Sequence, residues 1–179
     1  KFLQEARGMD PADAGWIIAV SEIMGIVGML VAGWATDKFF RGRAHRTCVF
    51  CMLGAAVFMA IFYFLPTSAP MSVLIIVLAM AGFFIYGPQA LYGSCASQQA
   101  TKYAAGTGNG IIGILGYLSS VVSGVMFGAK AEAGGWESVF PIAIAFGIVG
   151  AIAIGLMWNA PATGYDKLKR IVKEMENED

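Results

Sequence analysis

The sequence has little charge. Of 179 residues only 13% are charged, 12 basic and 12 acidic, and they cancel to a net charge of zero. Nothing in that balance points to nucleic acid. Histidine is almost absent, with His45 alone, and there are three Cys. No metal-ligand cluster, no Ser/His/Asp arrangement and no disulfide framework can be assembled from so few groups, so no catalytic set, metal site or cofactor is expected. Cys48 and Cys51 form C-x-x-C, but inside an uncharged apolar run. A redox or zinc pair needs a polar, accessible setting, so both read as packing residues.

Apolar residues are abundant, at 58%, with a mean hydropathy of +0.67. A soluble domain of this size leaves much of its surface wet and could not hide them. Disorder is excluded by the same composition. What remains is an all-α protein that crosses a membrane several times. β-barrel strands would alternate and be about half as long as the apolar runs seen here.

Crossing the hydrocarbon takes about 20 apolar residues. Five stretches qualify: Gly15–Thr36, Thr47–Leu65, Met71–Gly93, Ala104–Ala129 and Val139–Trp158. Asp10-Pro11 reads as a helix start, with Asp10 as N-cap and Pro11 in the first turn. Trp16 and Trp34 are about 27 Å apart at ~1.5 Å per residue, close to one hydrocarbon thickness. Trp136 and Trp158 flank the fifth span likewise, and both pairs look like aromatic belts.

Lys38, Arg41, Arg43 and Arg46 crowd the first connection, Lys102 lies in the third, and Lys167, Lys169, Arg170 and Lys173 lie in the tail. The positive-inside rule then places the start outside and the C-terminus in the cytoplasm. Residues 1–13 form an external segment, 14–158 the five-helix part and 159–179 a cytoplasmic tail. The external start leads to the expectation that at least one span precedes Lys1. In the tail Leu168, Ile171, Val172 and Met175 recur at helical spacing between charges. That describes an amphipathic helix on the membrane face, the alternative being a frayed, solvated tail.

Glu22 is the one ionisable carboxylate within a span. An acid at mid-helix costs roughly 2.5–3.5 kcal/mol on insertion scales, so it should face a cavity or a cation. The bland alternative is a neutral Glu packed against another helix. Tyr86-Gly87-Pro88-Gln89 should interrupt the third span, since Pro88 removes a backbone donor. Such a break belongs beside protein or a wet cavity, or else merely kinks the bundle. Tyr86 and Gln89, three residues apart, share a face and can hydrogen-bond a polar ligand. Gly108-x-Gly110-x-x-Gly113 matches a dinucleotide fingerprint as a string, but no strand precedes it. Close helix packing explains the small residues better: Gly106 and Gly110; Gly116, Ser120, Gly124 and Gly128; Ala143, Gly147, Ala151 and Gly155. Asn109 and Tyr117 are the polar exceptions on the fourth span. Asn109 is either interhelical glue or a ligand contact.

Three segments resemble the major facilitator superfamily, and within it the organophosphate:phosphate antiporters. GWATDKFFRGR, residues 33–43, resembles the cytoplasmic loop after the eighth span, with Gly33, Asp37, Lys38, Arg41, Gly42 and Arg43 as its motif residues. FIYGPQALYG, residues 84–93, resembles the tenth span, and AAGTGNGIIGILGYL, residues 104–118, the eleventh. The resemblance implies spans eight to twelve of twelve, in the C-terminal six-helix bundle. It also implies exchange of an organic phosphate ester for inorganic phosphate by alternating access in the inner membrane. On that reading Glu22, Tyr86, Gln89, Asn109 and Tyr117 line the substrate pathway, and Glu22 pairs with a cation from the other half. The partners implied are the organophosphate, inorganic phosphate, the bilayer and the missing N-terminal half. Each half of the family supplies an Arg to the phosphate, and neither lies in these residues, so the isolated 179 residues are expected to bind no phosphate. A second reading is a transporter-like sensor of hexose phosphate that signals to a membrane kinase.

Overall fold

The computed structural model describes residues 2–5, 8–66, 68–100 and 103–160. The amphipathic tail, Lys102 and the first basic residues lie outside the described residues.

Every long apolar run becomes a helix. A short helical turn, α1 (Phe2–Glu5), precedes α2 (Pro11–Phe40), α3 (Ala44–Phe64), α4 (Met71–Gln99), α5 (Ala105–Gly134) and α6 (Phe140–Gly155). A single 3-10 turn, Trp136–Ser138, joins α5 to α6. There is no strand among the described residues. Five segments, with Trp136–Gly155 counted as the fifth, are long and apolar enough to cross a membrane.

Local chemistry sets their ends. Asp10 occupies the N-cap position of α2 with extended backbone, and Pro11 supplies a pre-set φ in the first turn. The Asp10 side chain makes no capping bond. α2 stops where Arg41 enters the left-handed region at φ 52° and Gly42 follows at φ 77°. The Gly42 N–H then donates back to the Thr36 carbonyl at 3.0 Å and closes the helix end. The Pro66–Pro70 segment ends α3 and starts α4, because neither proline can continue a ladder. Gly135, at φ 71°, turns the chain from α5 toward α6.

The helices outrun the expected spans. α2 reaches Phe40 and α5 reaches Gly134. The connection expected over Asp37–Arg46 shrinks to Arg41-Gly42-Arg43, leaving Asp37 and Lys38 in the last turn of α2. His45 lies not in a loop but buried in the first turn of α3. Pro88 does not break α4, which runs unbroken from Met71 to Gln99. Gly87 and Pro88 are both buried, and a Cβ on Gly87 would press on Cys51 Sγ at 2.9 Å and Ala32 Cβ at 3.3 Å. Neighbouring helices enclose the proline and the helix continues through it, as membrane helices permit.

α4 is the hub, packed on α2 along one side and on α3 along another, with α6 against the outer face of α3. α5 leans lightly on α4. Two small cores form. One joins Leu3, Ala14, Ile17, Phe62, Leu74 and Val77 near the start of α2. The other joins Ala32, Ala44, Cys48, Cys51 and Leu91 near its end. Outside them Ile23, Ile26, Leu30, Ile114 and Leu118 lie bare, with Trp16 and Trp34 exposed at the two ends of α2. Water would not tolerate so large an apolar surface, whereas lipid does.

The small-residue stripes behave unequally. Gly147 meets Ala56 Cβ at 3.7 Å and Ala151 is buried, as close packing requires. Gly106, Gly110, Gly116, Gly124 and Gly128 have no atom within 4 Å of an added Cβ, so the α5 stripes touch no described helix. α5 has no buried residue, and of its glycines only Gly108, near Ala96 and Ala100, and Gly134, near Ser138, have a neighbour within 4 Å of an added Cβ.

Candidate functional site

Among the described glycines, those that bring two helix backbones together lie between α2 and α4. A Cβ on Gly28 would run into the backbone of Phe83, and one on Gly82 into the Ser21 carbonyl. One on Gly25 would enter the ring of Tyr86. Glycine at these positions lets two backbones lie almost in contact. The Tyr86 ring therefore lies flat on Gly25, and its hydroxyl donates to the carboxylate of Glu22, three residues earlier on α2. Ser21, beside Glu22, turns its own hydroxyl back to the Ile18 carbonyl at 2.8 Å.

Glu22 is exposed and Tyr86 half-buried. The pair stands at the surface of this bundle, halfway along two spanning helices. No Lys or Arg makes an ion pair with Glu22 among the described residues. A phenol donating to a carboxylate offers both a donor and a negative charge to whatever approaches. It satisfies the carboxylate only in part, since two oxygens can accept several bonds.

The other expected residues are spread out. Asn109 on α5 donates through Nδ2 to Ser97 Oγ on α4 at 3.2 Å, and Ser97 donates to the Gly93 carbonyl at 2.9 Å. Asn109 is thus a tie between two helices in this conformation. Gln89 is exposed, and Tyr117 is 81% exposed, without a hydrogen-bond partner among the described residues. The structure joins Glu22 and Tyr86 by a hydrogen bond, keeps Gln89 one turn from Tyr86 on α4, and bonds neither Gln89, Asn109 nor Tyr117 to that pair among the described residues.

At the loop end of the bundle a polar collar forms. Thr36 and Thr47, both buried, hydrogen-bond at 2.7 Å, and Thr36 donates to the Ala32 carbonyl at 2.8 Å. Gln98 at the end of α4 donates to the Gly42 carbonyl at 2.6 Å, and its own oxygen accepts from the Ala44 N–H at 3.5 Å. Arg46 Nε donates to the Trp158 carbonyl at 3.0 Å, with its guanidinium 4.9 Å from that indole, and His45 Nε2 lies 3.3 Å from the same oxygen. Of the loop motif, Lys38 rests its ammonium over Trp34 at 4.6 Å. The thiols pair across helices and not along the motif: Cys48 faces Cys95 at 3.9 Å, and all three Cys are free.

The α2–α4 contact and the Gln98 clamp were not anticipated. The first had a readable signal: Ser21, Gly25, Gly28 and Ala32 recur at helical spacing on α2, and each is small. The Gln98 clamp had none, since a lone amide at a helix end has many uses.

Five antiparallel apolar helices, bare outside and meeting tightly at glycine, make this a multi-pass membrane protein. The chain belongs to the Major Facilitator Superfamily, which it matches over residues 1–173. It is 33% identical over 159 residues to a glycerol-3-phosphate transporter of Bacillus subtilis (strain 168), covering 88% of this chain and 36% of that protein. It is 31% identical over 159 residues to a "Probable hexose phosphate transport protein" of Chlamydia pneumoniae, covering 89% and 35%. It is 30% identical over 162 residues to the membrane sensor protein UhpC of Salmonella typhimurium (strain LT2), covering 90% and 36%. The chain spans about a third of the length of these relatives.

Proposed function

We propose that this chain forms part of a transporter that exchanges an organic phosphate ester, glycerol-3-phosphate or a sugar phosphate, for inorganic phosphate by alternating access. The names of the relatives support the substrate class. The observation that carries the site is the Tyr86–Glu22 hydrogen bond, held at the glycine contact between α2 and α4 and facing outward from the bundle. In this reading Glu22 pairs with a cation of the other half. Tyr86 keeps its donor on Glu22 when the site is empty. It turns that donor to the phosphate when ligand enters, which releases the carboxylate to its cation without any proton transfer. Gln89, Asn109 and Tyr117 supply further donors and acceptors for hydroxyls of the ester. The membrane is the inner membrane, with the chain's start external and its C-terminal tail cytoplasmic.

The likeness to UhpC favours a second reading, a sensor that binds hexose phosphate and signals to a membrane kinase. One experiment separates the two. Proteoliposomes of the intact protein, loaded with labelled inorganic phosphate, exchange it for external glycerol-3-phosphate or glucose-6-phosphate if it is an antiporter. Ligand binding and kinase activation without flux would make it a sensor. Neither binding nor flux would refute both.

A further inference from the structure

The turn between α2 and α3 builds a second polar site, far from Glu22. Between Phe40 and Ala44 only three residues lie outside helix, and two of them are Arg. A cleft of about 150 Å³ opens there, lined by Phe39, Phe40, Arg41, Arg43 and Arg46. Three of its five lining residues are Arg, and none of the three makes an ion pair among the described residues.

The helix that follows makes the charge worse. α3 begins at Ala44, with Arg43 as its N-cap, no side-chain cap and no acid in its first turn. A helix start already carries about half a positive charge and favours anions. Arg43 and Arg46 therefore repel the dipole and each other. Arg41, moreover, stands in the left-handed region at φ 52°, a conformation that Gly or Asn takes more cheaply. An anion in the cleft would offset the like charges there. A guanidinium fork matches the oxygens of a phosphate. Arg46 is already fixed for the task, because Nε is held by the Trp158 carbonyl and the plane rests near the Trp158 ring.

Depth and lining choose the source of the phosphate. Trp34 and Trp158 mark the membrane boundary at this end, where Trp rings collect at headgroup level. The Phe39 and Phe50 rings are exposed, and Phe50 stacks on Phe40 at 5.5 Å. They extend an apolar surface from the cleft along α3, which an acyl chain covers and a free anion does not. Basic pockets between spanning helices are suited to anionic headgroups. We propose that this cleft binds the phosphodiester headgroup of an anionic phospholipid, held by Arg41, Arg43 and Arg46 with its tails against Phe39 and Phe50.

The test uses the intact protein purified in neutral detergent and mixed with equal amounts of phosphatidylglycerol and phosphatidylcholine. Retained lipid is counted by native mass spectrometry. The wild type keeps phosphatidylglycerol preferentially. R41Q/R43Q loses that preference by on the order of tenfold, while K38Q, whose ammonium lies over Trp34 outside the cleft lining, keeps it. If R41Q/R43Q does not fold, short-chain phosphatidylglycerol and phosphatidylcholine are titrated into the wild type, and Trp fluorescence responds to the first and not the second. Equal retention of both lipids, an unchanged preference in R41Q/R43Q, or complete displacement by millimolar inorganic phosphate would overturn the proposal, the last making it a free-anion site.

Discussion

Gly28→Ala tests the close approach on which the Glu22–Tyr86 pair depends. The added methyl would meet the Phe83 backbone, with Phe83 C at 2.8 Å and Cα at 2.9 Å and the carbonyl oxygen nearer still. Ordinary contact begins at about 3.4 Å, so α4 must withdraw by on the order of 1 Å before that carbonyl oxygen clears, and backbone cannot rotate aside as a side chain can. Overpacking of this kind costs about 1–3 kcal/mol. In an intact protein of the relatives' length, about three times this chain, that lowers the unfolding temperature by roughly 1 °C per kcal/mol. Tyr86 follows Phe83 by three residues on the same helix, so the retreat also lengthens its bond to Glu22. Gly15→Ala is the matched comparison, because it lies on the same helix and its Cβ meets nothing within 4 Å. Both variants of the intact protein are melted in detergent, followed by size-exclusion fluorescence. Gly28→Ala should melt about 1–3 °C below wild type and lose exchange, with Gly15→Ala at or above wild type. A Gly28→Ala protein that melts with the wild type would refute the reasoning.

Glu22→Gln should insert and melt normally yet exchange phosphate poorly, and wild-type rates in proteoliposomes would return Glu22 to a packing role. Tyr117→Phe should leave the stability within about 0.5 kcal/mol of wild type, since the ring is 81% exposed, while weakening phosphate-ester exchange; unchanged apparent affinity would remove Tyr117 from the pathway. Gln98→Leu breaks two hydrogen bonds to the α2–α3 turn and should destabilise by about 1–2 kcal/mol, which a thermal melt reads directly. Mild oxidation should join Cys48 to Cys95, whose sulfurs are 3.9 Å apart, and linking α3 to α4 should make the two halves of a nicked chain run together on a non-reducing gel.

Much of the fold was legible in the sequence because one physical demand dominates it. A spanning segment must satisfy its own backbone and show lipid an apolar face, so length and hydropathy suffice to locate α2 to α6. Their ends were less legible. Asp37, Lys38 and His45 are polar, and polarity reads as loop, yet helix continues beyond the hydrocarbon wherever the backbone gains bonds. Pro88 reads as a break for a related reason: its local cost is real, yet Gly87 packs against Cys51 and Ala32 and the helix continues through it. The glycines divide the same way. Spacing alone marks Gly116 and Gly124 as readily as Gly25 and Gly28, and only the position of a second backbone separates them. In the candidate site Glu22 stood out because a carboxylate in hydrocarbon must be explained, and the Tyr86 hydroxyl beside it is a finding of the structure. Nothing in the pattern of residues foretold that Asn109 would reach Ser97.

The collar at the loop end has a mechanical consequence. Thr36–Thr47, Gln98 with the Gly42 turn, and Trp158 with Arg46 cross-brace the terminal turns of α2, α3, α4 and the segment after α6. Four long helices fastened at one rim tilt together as a single lever, and a load on any one reaches the rest. α5, tied to α4 through Asn109 and Ser97, stands outside that brace. Among the described residues it is the one long helix that the rim does not hold.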